Sequence, residues 1–578
     1  MQRGLRTLVL IAVAGWLGTA CRSEPDVAAD LVLRGGTVVT VDEARPEAEA
    51  IAIKGDTILA VGSNREISRY VGRGTDVIEL HGQLAIPGFI ESHAHFLGIG
   101  DASLQLDLMT ADTWQEIVGM VAAMVSDVPA GELIRGRGWH QEKWSRPPAR
   151  TVEGLPTHAS LSAVSPDNPV ILRHASGHAT FANARAMEMA GITRDTPDPP
   201  GGQIVRDERG EPIGVFRETA SGLLAPVYRQ AKRPDPRRQA ELANREVLSK
   251  GITSLQDAGS SFATVDLFKA MVDDGSLGVR LWVMLRSDNA TLAERLDDYR
   301  MIGYGHDMLT VRAIKRGIDG ALGPHGAWLL APYADLPNSS GLNTSAIADI
   351  EETARLAVEH GYQLCVHAIG DRANREVLDL YQRTFAAHPE VHDLRWRIEH
   401  AQHLDPADIP RFGALGVIAS MQAIHATSDA PYVLERLGEE RARSGAYVWK
   451  SLMETGAVVT NGTDAPVERV DPIPGFYASV SRRLKDGTVF FPAQRMSRLE
   501  ALRSYTLNGA YAAFEEDRKG SLTPGKLADI TVLSRNIMTV PEEEILGTKV
   551  QYTIVGGRIR YRADRDAAVG SGPSGGLE

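Results

Sequence analysis

Apolar positions change their period twice along this chain. Short runs at 31–33, 37–41, 50–53 and 57–61 are separated by the turn pairs Gly35 with Gly36 and Gly55 with Asp56, which predicts a small antiparallel unit. The same texture returns at 528–533 and at 552–561 around Gly556 and Gly557. Neither end is long enough to close a sandwich alone, so 30–85 and 511–563 are expected to form one composite β-sandwich domain. Between them, over 86–510, helical and strand-like segments alternate. Thr113 and Glu116 make a capping box ahead of apolar Val118, Val121 and Val125. Further on, Ile347, Ile350, Ala354 and Val358 recur at helical spacing, Gly361 supplies a stop, and a strand over 362–368 ends near His367. A helix ending at 451–455, Gly456 and a strand over 457–460 then lead to Asp464. This rhythm predicts an α/β fold, a (β/α)8 TIM-like barrel whose loops at the C-terminal strand ends carry the chemistry. The stretch is longer than a plain barrel needs, and the Pro-, Gly- and Asp-rich region at about 131–225 is expected to be an insertion over the barrel mouth.

Charge narrows the partners. With Lys+Arg 62 against Asp+Glu 74, the net charge of -12 repels nucleic acid and anionic membranes, leaving a small-molecule substrate as the expected partner. Cys21 and Cys365 are the only cysteines among 578 residues, which excludes a disulfide framework and a thiolate metal cluster. Any metal must be held by nitrogen and oxygen.

At the N-terminus, Arg3 and Arg6 precede an apolar run over 8–17 and then small residues, the layout of a signal peptide. Cys21 after Gly18, Thr19 and Ala20 resembles a bacterial lipoprotein cleavage site, although Gly18 stands where an aliphatic residue is usual. The expectation is a signal peptide with lipobox over 1–21, a polar tether over 22–29, and an exported, periplasmic or outer-membrane-anchored lipoprotein that meets the membrane only through its N-terminal lipid. The Gly- and Ser-rich segment 564–578 reads as a disordered tail.

Candidate chemistry centres on LAIPGFIESHAHF, where His93 and His95 leave an apolar run two residues apart and so on the same face of a strand. That geometry can grip one metal ion; the pair alone is equally compatible with a hydrogen-bonding role. Lys315 in VRAIKRGIDGALG, His367 in QLCVHAIGDRAN, His400 in RWRIEHAQHL and Asp464 in VVTNGTDAPVE also fall at expected strand ends. Each has an ordinary reading when taken singly: a solvated cation, two core histidines and a turn residue.

Together with GHATFANARAMEMAGI, GITSLQDAG, ASMQAIHATSD and LTPGKLADITVL, these motifs occur in the order found in the amidohydrolase superfamily, and the chain resembles its amidohydrolase-3 or YtcJ-like branch over nearly its whole mature length. The resemblance implies that His93 and His95 bind the more buried metal, that Lys315 bridges two metals as a carbamate, and that His367 and His400 hold the second. It also implies that Asp464 binds metal and acts as the catalytic general base. The cofactor expected is a divalent metal, zinc above all, at one or two per chain, and a homodimer is expected on the same ground. A desolvated lysine loses its proton and can capture carbon dioxide, which turns a cation into an anionic oxygen ligand. His403 competes with His400 by proximity, and the motif favours His400 because it directly follows Arg397, Ile398 and Glu399. His178, Gln422, His425 and Trp139 are candidates for substrate binding, with Trp144 as a further wall. Two departures stand out: Pro324 and His325 replace a Ser-Arg pair after GALG, and Thr463 replaces a serine after Gly462.

The function implied is hydrolysis of a non-peptide carbon–nitrogen bond in a small amide, formamide or cyclic amide. The competing readings are a mononuclear deaminase or an ester or lactone hydrolase on the same scaffold. A binding protein without turnover would have lost ligands, whereas all six are present.

Overall fold

The computed structural model describes residues 27–563 apart from 233. The expected signal segment, most of the tether and the expected C-terminal tail lie outside the described residues. No helix among the described residues is long and apolar enough to cross a membrane.

The fold is α/β, built on a nearly closed parallel barrel. Its strands are β1 (Phe89–Ala94), β2 (Ile252–Ser260), β3 (Arg280–Leu285), β4 (Leu309–Gly317), β5 (Gln363–Ala368), β6 (Arg397–His400), β7 (Ile418–Met421) and β8 (Val459–Asn461), each hydrogen-bonded to the next in parallel register. Helices fill the crossovers as the periodicity requires. Between β4 and β5, Ile347–His360 buries Ile350 and Ala354, and Gly361 ends it in the left-handed region with φ 68°.

Strands β8 and β1 form no ladder with each other. The seam is closed by the segment that follows β8: Asp464 N–H donates to His93 O at 2.8 Å, and His95 N–H donates to Ala465 O at 2.8 Å. The buried Glu91 carboxyl ties the two sides together, accepting from Thr463 N–H at 2.9 Å and His93 N–H at 3.1 Å and bonding the Thr463 hydroxyl at 2.9 Å. Gly462 is required here because a Cβ at that position would stand 2.2 Å from Glu91 Oε1. The threonine at 463 keeps the hydroxyl that a serine would supply.

The two ends of the chain contribute to a single eight-stranded sheet. Leu84–Pro87 is its junction, lying parallel to Leu31–Val39 and antiparallel to Ile530–Leu533. The apolar run that reads as one strand in the sequence is therefore shared between two sheets. It divides at Gly88, where a Cβ would lie 2.2 Å from Thr253 Oγ1 and no other residue fits. A buried ion pair fastens the sheet to the barrel: Arg280 at the start of β3 reaches Asp529 at 2.8 and 3.0 Å.

Between β1 and β2 the chain makes a separate six-stranded sheet, which runs from Leu106–Asp107 to Pro212–Glu218 and has its own apolar core of Trp114, Ile117, Val121, Trp139, Leu172 and Phe181. Its Ala175, Ser176 and His178 line the same cavity as barrel residues His367, His400 and Asp464.

Removing the carboxylate at the seam leaves buried N–H groups of Thr463 and His93 without an acceptor. Glu91→Ala is expected to destabilise the protein by about 2–4 kcal/mol. The check is the denaturation midpoint against wild type, and an unchanged midpoint would mean that the seam does not depend on Glu91.

Candidate metal centre

The site is assembled at the C-terminal ends of the barrel strands. His93 on β1 is 1% exposed; its Nδ1 bonds the Glu399 carboxylate and its Nε2 lies 3.3 Å from Lys315 Nζ on β4. Glu399 is fully buried and held by Arg397, Nε to Oε1 at 2.7 Å. Burial works against the Glu399 charge, but Arg397 and then His93 hold the carboxyl below its usual range. With a carboxylate on Nδ1, the proton of His93 is fixed there and the Nε2 lone pair faces the cavity, the tautomer a metal ligand needs. His400 at the end of β6 is arranged the same way by Gln422, whose Oε1 lies 2.7 Å from Nδ1.

Asp464 and His400 both have positive φ, 54° and 76°, in the left-handed region that strains an L residue. Both side chains line the same cavity. Ligating atoms of His93, His400 and Asp464 lie within 4.8 Å of one another, His95 Nε2 comes within 3.2 Å of Asp464 Oδ1, and the His367 and His400 rings are 4.5 Å apart. All six residues expected as ligands, His93, His95, Lys315, His367, His400 and Asp464, line one cavity of 570 Å³.

The charges there suit a cation. Burial lowers His93 to about 4, with Lys315 adding to the effect, and it drives His367 and His400 well below the usual imidazole range, so that neutral rings face the cavity. Burial also lowers Lys315 to about 8. Burial opposes ionisation of Asp464, but the approach of His95, His93 and His400 keeps its carboxyl well below the ordinary range. Two buried atoms, Asp464 Oδ1 and His367 Nε2, have no hydrogen-bond partner among the described residues. An unsatisfied carboxylate oxygen amid neutral imidazoles is a donor set that a divalent ion completes.

The remaining candidates divide. His178 lines the cavity and bonds Glu218 at 2.7 Å through Nδ1, with its ring 5.0 Å from His367. His425 borders the neighbouring part of the cavity, its Nε2 unsatisfied. Gln422 is 3% exposed, and its amide is engaged with His400 Nδ1 and Ser420 O, so that it orients the His400 ring. Trp139 does not wall the pocket: it is 0% exposed in the core of the inserted sheet, its Nε1 donating to Leu172 O at 2.9 Å, because an indole with an internal acceptor gains most by full burial. Trp144 packs against that core too. His403 bonds at 3.4 Å to Gln402 and sits against Tyr447, apart from the ligand cluster. His325 pairs with Asp335 at 3.0 Å.

Sequence reasoning missed Glu91, Glu399, Glu218 and Asp319. Glu91 and Glu399 lie inside the quoted motifs, each one or two residues from a ligand, and their burial was the signal. Asp319, four residues after Lys315, accepts from Trp328, Ile369 and Gly370 N–H at 2.8–3.0 Å and clamps the loops around His367.

A parallel barrel with histidines, a lysine and an aspartate converging on one cavity at its C-terminal face defines a metal-dependent class of protein. The chain belongs to the amidohydrolase family, whose model matches residues 76–561. It is 34% identical over 545 residues to the protein LONG AFTER FAR-RED 3 of Arabidopsis thaliana, covering 93% of this chain and 92% of that protein. It is 27% identical over 542 residues to the N-substituted formamide deformylase of Arthrobacter pascens, covering 92% and 98%. Among solved structures, it is similar to a metal-dependent hydrolase of Pyrococcus furiosus with a TM-score of 0.67 and 26% identity, over 88% of this chain and 100% of that one.

Without a carboxylate behind it, His93 loses both its orientation and its fixed proton. Glu399→Gln is expected to weaken zinc affinity roughly 10- to 100-fold, read by chelator competition on protein whose circular dichroism matches wild type. Undiminished affinity would show that Glu399 serves Arg397 alone.

Proposed function

We propose that this protein is a metal-dependent amidohydrolase that cleaves a carbon–nitrogen bond other than a peptide bond in a small amide, formamide or cyclic amide. The observation that carries the reading is the unsatisfied Asp464 oxygen facing His93 and His400 inside a cavity sized for a small molecule. Its support among relatives is the deformylase, which by its name acts on N-substituted formamides.

His93, His95, His400 and Asp464 would hold one ion, with His367 and a carboxylated Lys315 available for a second; zinc suits the imidazole and carboxylate set. When bound, the metal supplies Lewis acidity that polarises the scissile carbonyl and eases deprotonation of water. The protein's own groups do the rest. Asp464, kept ionised, accepts the proton of the attacking water and returns it to the leaving nitrogen. Burial works against a charge on His178, but Glu218 on its Nδ1 raises it above the usual imidazole range, and the protonated ring has an Nε2–H to donate to the substrate carbonyl. The inserted sheet brings Ser176 and His178 over the mouth, limiting the entry of bulk water.

A mononuclear enzyme, acting as a deaminase or on esters or lactones, is the second reading. It is favoured by the fact that the tight cluster contains only His93, His400 and Asp464. Metal analysis separates the two. Two zinc-like ions per chain, falling to one or none in Lys315→Ala, is the expected result, and a single ion indifferent to that substitution supports the mononuclear form.

Asp464→Asn is expected to keep the fold and to lower kcat by about 100- to 10,000-fold on an N-substituted formamide. Turnover near wild type in that variant would remove Asp464 from the role of base.

A further inference from the structure

The cavity that holds the candidate ligands also carries four guanidinium groups, those of Arg137, Arg173, Arg286 and Arg316. The chain as a whole has an excess of acidic groups, 74 against 62 basic, and most of its arginines elsewhere meet a carboxylate. These four do not. Arg137 donates to the carbonyls of Pro466 and Ala175 at 2.9 and 3.0 Å, and Arg173 leans on Gly177 O at 3.3 and 3.4 Å. Arg316 is held by Thr353 Oγ1 at 2.7 Å, Asn289 Oδ1 at 2.5 Å and the carbonyl of Ser287. The Arg286 side chain has no hydrogen-bond partner among the described residues.

The four are grouped and close to the chemistry. A methyl at Gly177 would lie 3.6 Å from Arg173 Nη2 and 3.8 Å from Arg137 Nη2, so the two cations converge over one glycine. At Gly259 a methyl would lie 3.2 Å from Arg286 Cδ and 3.6 Å from Lys315 Cγ, so the Arg286 stem runs beside that of the lysine at the centre. Arg286 is pushed below its usual value by desolvation and then by Arg173, as like charges without a counter-ion require.

Three acidic groups share the cavity, and each is engaged elsewhere. Glu218 faces His178, Asp319 takes three backbone N–H bonds, and Asp464 belongs to the ligand cluster. Unpaired guanidiniums turned toward a reaction cavity are repulsive until an anion arrives, and a planar carboxylate or a phosphate is the group their donors match. We propose, on the basis of the amidohydrolase reading above, that the substrate bears an anionic group of the carboxylate or phosphate class, held by Arg286 and Arg173 with Arg137 behind them. The amide would then be presented to the metal centre from the side of Lys315.

The test uses the metal-loaded full chain and three matched formamides: N-formyl-β-alanine, its neutral carboxamide, and N-formyl-2-aminoethylphosphonate. At least one charged compound is expected to exceed the neutral one at least tenfold in kcat/KM, the two charged arms telling carboxylate from phosphate recognition. Arg286→Met and Arg173→Met are each expected to remove most of that preference through KM. A neutral compound turned over as well as the charged ones, or a preference that survives both substitutions, overturns the proposal while leaving the hydrolase reading intact. If none of the three is turned over, that failure counts against the hydrolase reading, and the anion site is decided by calorimetry with glutarate. Affinity at least tenfold weaker in both variants upholds the site, and equal affinity in wild type and variants overturns it.

Discussion

Closure of the barrel is the constraint on which the rest depends. The candidate ligands on β1, β4, β5 and β6 share one rigid parallel sheet, but Asp464 lies past the end of β8, on the far side of a seam that the strands themselves leave open. The Glu91 carboxyl crosses that seam to Thr463, and the His93 carbonyl takes the Asp464 N–H. The residue two before the first histidine thus fixes where the aspartate stands. Burial raises Glu91 to about 8 against the pull of these bonds, a cost accepted at one buried acid so that another, Asp464, is held in place.

Electrostatics below and above the ligands differ in kind. Underneath, every charge is answered: Arg397 meets Glu399, Gln256, Ser420 and the Ser92 carbonyl, and Glu399 in turn meets His93. This buried network fixes ring orientation and so determines which nitrogen of His93 faces the cavity. Above, in the cavity wall, Arg137, Arg173, Arg286 and Arg316 form no ion pair among the described residues, and burial holds His93, His367 and His400 below the usual imidazole range. The lower layer is complete within the protein, whereas in the upper one Asp464 Oδ1 and His367 Nε2 have no hydrogen-bond partner among the described residues.

Much of this was legible in the sequence, and the part that was not has a common cause. Strand-end placement of His93, His95, Lys315, His367, His400 and Asp464 follows from short-range rules, alternation along a strand and a stop before the next one, which act within a few residues. The split of the first apolar run at Gly88 was hidden because both halves are equally apolar; only the approach of Thr253 from another strand shows why the chain must turn there. Trp139 misled because an aromatic residue near a cavity and one inside a neighbouring core have the same local sequence. Glu91 and Glu399 stood in plain view, but the partners that give them their roles, Thr463 and His93, lie 372 and 306 residues away, beyond the reach of any pattern along the chain.

The shared sheet has a further consequence for how the molecule comes into being. Leu84–Pro87 is flanked on one side by Leu31–Val39, which is made early, and on the other by Ile530–Leu533, which is made near the end. At ribosomal speeds the interval between them is on the order of a minute. Throughout that time a fully apolar strand edge stays open to the edge-to-edge pairing that leads to aggregation, until the last strands of the chain are delivered.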